Sequence, residues 1–156
     1  MAQSSILDLL NFHPFTAALT ATHRSVLADM AELSDIEQEQ TVFGSGERSR
    51  FFYLLVSGTA FLELQTAAYT VCIQQLGPGE AFGWSALVDE PYRAFQVRAR
   101  VACKVVRISG DRLREACDAD HSLGAVVYRQ LSSLIARRLR AAETRFEEFC
   151  ARDSET

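Results

Sequence analysis

The residues with the most chemical potential lie between Gly77 and Phe95. Gly77-Pro78-Gly79 makes a tight turn, Glu80-Ala81-Phe82 leads to Gly83, and Trp84-Ser85-Ala86-Leu87 reads as a short helical stretch. Arg93 follows Gly83 by ten residues. Exposed backbone N–H groups at a helix start bind anions, and an arginine facing them supplies a bidentate partner for a phosphate. A tight loop whose arginine holds a neighbouring element uses the same residues, and the spacing alone does not choose between the two.

Other chemistry finds less support. The histidines are His13, His23 and His121, all outside the strand-like middle of the chain. A metal-binding small barrel would need histidine and carboxylate ligands on inward strand faces. No nucleophile-elbow motif occurs. Gly44-Ser45-Gly46-Glu47 resembles half a phosphate loop, but it lacks the Lys-Ser/Thr continuation and precedes a strand, so it reads as a turn. No enzyme activity, metal or resident cofactor is therefore expected. Cys72, Cys103, Cys117 and Cys150 form no CxxC pair. With no signal-peptide-like start, they read as reduced, mostly buried thiols of a cytoplasmic protein.

The elements that must position Gly83 and Arg93 fit one domain of 156 residues. Residues of the AVILMFWYC set make up 48% of the chain, enough for a real core, and charged residues make up 23%. The longest unbroken apolar run, Phe51 to Val56, is far shorter than the ~20 residues of a membrane span. Sixteen Lys plus Arg against 20 Asp plus Glu leave a net charge of −4, so nonspecific attraction to nucleic acid is not expected.

Three zones differ in texture: a helical segment over 1–35, strands over 36–108 containing the segment 83–95, and helices over 109–156. In the first zone Thr20 or Thr22 can cap a helix. In the middle zone Phe51–Val56 predicts a strand buried on both faces. Phe95, Val97, Ala99 and Val101 alternate with Gln96, Arg98 and Arg100, which predicts a strand with outward arginines. Turns at Gly44-Ser45-Gly46, Ser57-Gly58 and Gly77-Pro78-Gly79 separate short strands, the spacing of a sandwich or barrel. Cys72 and Cys103 fall in strand patterns.

In the last zone Ser109 can cap a short helix, and Asp120 or Ser122 opens a long one to about Phe149. Along it Tyr128, Leu131, Ile135, Leu139, Ala142, Phe146 and Phe149 are spaced 3, 4, 4, 3, 4, 3, a heptad-like seam. The seam either packs wholly on its own domain or pairs two copies of the chain. Phe146 and Phe149 lie far along for one small barrel to cover, which points to a homodimer. Arg137 and Arg138 read as salt-bridge partners on the helix surface, with Glu143 and Glu147 near them.

Taken together, several segments resemble the cyclic nucleotide-binding domain of Crp/Fnr-type bacterial regulators and of their kinase and channel relatives. They are Val42-Phe43-Gly44-Ser45-Gly46-Glu47, Phe52-Tyr53-Leu54-Leu55-Val56-Ser57-Gly58, Leu76-Gly77-Pro78-Gly79-Glu80-Ala81-Phe82-Gly83, Val97-Arg98-Ala99 and Ile135-Ala136-Arg137-Arg138-Leu139. The resemblance covers nearly the whole chain. It implies a mainly β fold, an eight-stranded jelly-roll barrel with N-terminal helices and a long C-terminal helix that closes the pocket and pairs subunits. It also implies that Gly83 to Phe95 is a phosphate-binding cassette, with Gly83 as its glycine and Arg93 as the partner of a cyclic phosphate.

Other positions depart from that pattern. Trp84 stands where a glutamate would hold the ribose 2′-hydroxyl, and Ala94 where a hydroxyl residue often meets the phosphate. Phe95 stands where a small residue is usual, and Ala142 and Glu143 where two hydroxyl residues would contact the base. Each lost hydrogen-bond partner costs about 1–3 kcal/mol, and ~1.4 kcal/mol is tenfold in affinity. Weak or no binding of cAMP in the familiar manner is expected, with Trp84 stacked on Arg93 and filling the pocket. A different planar ligand held by Arg93 is the rival expectation. The candidate ligand site is thus Gly83, Trp84, Ser85, Arg93, Ala94 and Phe95, for a cyclic nucleotide or another small anion.

The resemblance implies a regulatory or sensor module acting through a homodimer or an unknown protein partner. A degenerate ligand-free interaction domain and the sensor part of a Crp/Fnr-type transcription regulator are the alternatives. Only Ala151 to Thr156 follow Cys150, too few for a recognition helix, so DNA binding by this chain alone is not expected.

Overall fold

A computed structural model describes residues 2–44, 46–48, 50–88 and 95–154. Two helices come first, α1 (Ala2–Phe12) and α2 (Ala21–Asp29). Eight strands follow: β1 (Ala31–Ile36), β2 (Thr41–Phe43), β3 (Phe51–Ser57), β4 (Ala60–Gln65), β5 (Thr70–Leu76), β6 (Ala81–Phe82), β7 (Gln96–Ala99) and β8 (Cys103–Ser109). The chain then returns to helix in α3 (Gly110–Ala119) and α4 (His121–Ser154).

The strands form two four-stranded antiparallel sheets, in the orders β1-β8-β3-β6 and β2-β7-β4-β5. The eight-stranded jelly roll is therefore a two-sheet sandwich and not one closed barrel, a form in which two short-edged sheets share one core. Strand structure begins at Ala31, five residues before the boundary that the sequence predicts, because Ala31–Ile36 pairs with Ile108–Cys103. Its burial does not alternate, so no period-2 signal marks it. Pairing with β8 supplies what the side chains do not.

Alternation in β3 and β8 builds two cores. Phe52, Leu54, Val106 and Ile108 face a layer of helices and meet Leu10, Leu27, Leu113, Leu123, Val127, Leu131 and Leu134. Tyr53, Leu55, Cys103 and Val105 point the other way and meet Phe43, Leu62, Ile73, Leu76 and Val97 of the second sheet. This is why β3 is apolar on both faces, as its sequence predicts.

Side-chain caps set the helix starts. Thr20 accepts from the His23 N–H, and Ser109 from the Arg112 N–H. The Asp120 carboxylate accepts from the Ser122 and Leu123 N–H groups and from the Ser122 hydroxyl, and His23 lies 2.9 Å from its second oxygen. These bonds hold the Asp120 pKa down at about 2, the Ser122 contact contributing most. Gly110 permits close packing at the start of α3: a Cβ there would lie 2.6 Å from the Ala86 carbonyl oxygen.

All four cysteines are free, Cys103 and Cys117 buried and Cys150 exposed. Burial raises the Cys117 pKa to about 11, with Asp118 and Asp120 adding to it. On the outer face of the second sheet Arg98 bonds Glu63 at 2.9 Å and Glu39 at 2.5 Å and lies over the Phe61 ring. Glu63 is nevertheless buried, since a bulge at Leu62/Glu63 and the Gln96 and Arg98 side chains enclose it. No helix among the described residues is long and apolar enough to cross a membrane.

Candidate functional site

The site begins where β6 leaves the first sheet. Ala81 and Phe82 pair with Leu54 and Tyr53, and the Phe82 and Tyr53 rings stack with centroids 4.9 Å apart. Gly83 then takes φ +80°, a left-handed conformation that any side chain would strain. That turn starts a short 3-10 helix over Trp84–Leu87, whose Ala86 N–H donates to the Gly83 carbonyl. Sequence reading predicts the short helical stretch.

The two bulky aromatic residues separate. Trp84 is half-buried and packs on the core shared with the helices, whereas Phe95 packs on the core between the sheets. Both are half-buried, Trp84 against the helical layer and Phe95 against the core between the sheets. Ser85 is buried beside Trp84. Arg93 and Ala94 lie outside the described residues, and with them the expected stacking of Trp84 on Arg93.

Ahead of the cassette stands a buried charge that sequence reading misplaces. Arg138 of α4 is not a surface salt-bridge partner of Glu143 or Glu147; it is only 5% exposed. Its guanidinium donates to the Glu80 carboxylate at 3.1 Å, the Ala81 carbonyl at 2.5 Å and the Gln74 side-chain oxygen at 3.1 Å. Burial lowers its pKa, and the Glu80 carboxylate opposes that shift. One side chain thus joins α4 to β5, to the β5–β6 turn and to β6. The signal was present in the spacing: Leu131, Leu134, Arg138, Ala141 and Arg145 recur at 3, 4, 3, 4 and place Arg138 on the domain-facing stripe.

The N-terminal segment reaches the same turn. The His13 ring accepts the Phe15 N–H at Nδ1, 3.1 Å, so its proton sits on Nε2 and is donated to the Glu80 carbonyl, 3.2 Å. Burial lowers the His13 pKa, and the bond to Glu80 partly opposes this. Glu80 therefore receives the N-terminal segment on its backbone and α4 on its side chain, three residues before Gly83.

The long helix divides the expected seam. Leu131 is buried in its own domain at 2% exposure, and Ile135 and Ala142 pack partly on the cores. Tyr128, Leu139, Phe146 and Phe149 are exposed, Leu139 at 59% and Phe146 at 69%. Phe149 also touches Tyr69 from the turn before β5, 5.7 Å between centroids. The outward ridge runs Tyr128, Ser132, Ile135, Leu139, Ala142, Phe146, Phe149, and Leu131 leaves it.

Comparison with known proteins decides what this arrangement is. The family model of the cyclic nucleotide-binding domain matches residues 33–120, more than half of the chain. The chain belongs to the cyclic nucleotide-binding domain family. A cAMP-dependent protein kinase regulatory subunit of Mycosarcoma maydis is 28% identical over 95 residues, which cover 61% of this chain and 18% of that protein. Among solved structures, a Geobacter metallireducens GS-15 protein classed as cyclic nucleotide-binding is 27% identical with a TM-score of 0.76. That match covers 85% of this chain and 96% of that one. The sensor domain of the transcriptional regulator DNR from Pseudomonas aeruginosa shares the fold, with a TM-score of 0.72 at 20% identity over 88% of this chain and 93% of that one. The chain is a regulatory module of the cyclic nucleotide-binding-domain type.

Proposed function

We propose that this module is a non-catalytic, cytoplasmic regulator whose output element is α4, held in place by the protein's own contacts, and which acts as a homodimer through the outward ridge of that helix. The observation that carries this reading is Arg138. It ties α4 to Glu80, Ala81 and Gln74 through the chain's own groups. A phosphate-bearing ligand reaching Gly83 and Arg93 would act on a helix already seated.

The same residues argue for weak response to cAMP and cGMP. By the resemblance, Trp84 stands where a glutamate would hold the ribose, and the Glu80 carboxylate three residues before Gly83 is occupied by Arg138. Phe95 packs against the inner core where a small residue is usual. Calorimetric titration of the purified protein with cAMP and cGMP tests this. No saturable heat at micromolar nucleotide is expected, and binding at micromolar or tighter overturns it.

A ligand-free interaction domain is the second reading, favoured by Phe95 on the inner core. Arg93→Ala separates the two: a sensor loses its response to small phosphate-bearing ligands, and a scaffold keeps all its partner binding.

A further inference from the structure

On α4, a second polar feature lies away from both the cassette and the ridge. A cleft of about 350 Å³ opens between β5 and α4, lined by Ile73, Arg137, Arg140, Ala141, Thr144 and Arg145. Ile73 and Ala141 form an apolar floor. None of the lining residues belongs to the described part of the cassette. At roughly 100° per residue, Arg137, Arg140 and Thr144 point about 100–180° away from Leu139 and Phe146.

The arginines differ in their commitments. Arg145 is held by the Cys72 carbonyl, 2.8 Å from its Nε, and pairs with Glu148. Arg137 and Arg140 are exposed and make no ion pair among the described residues. Two uncommitted guanidiniums beside a third that is anchored, over an apolar floor, match a small ligand with several anionic oxygens, since each guanidinium can grip phosphate in a bidentate manner.

Position gives the cleft a consequence. Along β5, Cys72 is tied to Arg145 and Gln74 to Arg138, and Ile73 between them lines the cleft. We infer that this cleft is an effector site for a small phosphate-bearing anion, which on binding bridges α4 to β5 between the two existing ties and stiffens the joint. The site is separate from the cassette.

The test is an amide NMR titration of the whole chain with sodium pyrophosphate at fixed ionic strength. Saturable shifts are expected at residues 72–74 and 137–145. The double variant Arg137→Gln/Arg140→Gln should bind at least tenfold more weakly with an unchanged thermal midpoint, since both side chains are exposed. Arg93→Gln should leave the saturable shifts at residues 72–74 and 137–145 as they are in the wild type, whatever it does to binding at the cassette, which keeps this site's failure distinct from that of the cassette. Non-saturating shifts, equal affinity in the double variant, or dependence on Arg93 would overturn the inference. So would stronger competition by duplex DNA than by pyrophosphate at matched phosphate, which would assign the arginines to nucleic acid.

Discussion

Arg138 and Glu80 meet at 3.1 Å where α4 crosses the turn that leads into the cassette, and the Glu80 backbone carbonyl takes the His13 imidazole on its other side. Three distant parts of the chain thus converge on one residue. Breaking a fully buried ion pair costs about 3–5 kcal/mol. Glu80 is one-third exposed, so water can replace part of the loss, and Arg138→Met should destabilise the fold by about 2–3 kcal/mol. Glu80→Gln keeps an acceptor for Arg138 and should cost about 1 kcal/mol. Urea unfolding of the two variants checks the order: equal losses, or none, would contradict it.

The ridge and the buried stripe of α4 make opposite predictions. Leu131→Ala opens a cavity in the helix-side core and should cost about 2–5 kcal/mol of stability. Leu139→Ala and Phe146→Ala remove exposed side chains and should leave the stability of the isolated subunit nearly unchanged, within about 0.5 kcal/mol. Sedimentation equilibrium should show a dimer for the wild type and a monomer for the Leu139→Ala/Phe146→Ala double variant. A wild-type monomer, or a dimer indifferent to both changes, would remove the ridge from the account.

Why one seam reads correctly and its neighbour does not is a matter of degeneracy. The two-faced core of β3, the caps Thr20, Ser109 and Asp120 and the outward Arg98 are each dictated locally, by a side chain's own hydrogen bonds or by its strand parity. Leu131 and Arg138 are not. A leucine fits both an outward seam and an inward stripe one position away, and the 3–4 spacing places it in the seam. An arginine inside Ala136-Arg137-Arg138-Leu139 looks like any surface cation until the Glu80 carboxylate in the β5–β6 turn and the Ala81 carbonyl of β6 close around it. Glu63 is similar: strand parity places it on the outer face, and the bulge with Arg98 buries it there. Residues satisfied by partners far along the chain leave little trace in the local pattern.

His13 gives the fold a dependence on pH. The unfolded chain protonates this ring near the ordinary value of 6.5, and the folded chain only at lower pH because the ring is buried. Above 6.5 the ring is neutral in both states and its full contribution is present. As pH falls below 6.5 the unfolded state takes up the proton first and stability is lost until the folded ring titrates as well. Thermal midpoints of the wild type should therefore drop as the pH falls below 6.5. His13→Gln keeps a donor for the Glu80 carbonyl and should flatten that slope. The Asp120 contribution is lost in a separate window, between 3.8 and about 2. An unchanged slope in His13→Gln would show that other groups set the dependence.

Hydrogen exchange along α4 tests most directly whether this helix is seated by the protein itself. In the wild type without nucleotide, amides of residues 134–145 should already be protected, and added cAMP should change them little. Arg138→Met should lose protection in that stretch while the sheet amides keep theirs. Free exchange over 134–145 without nucleotide, followed by protection only when cAMP is present, would contradict the claim and make the helix a ligand-driven lid.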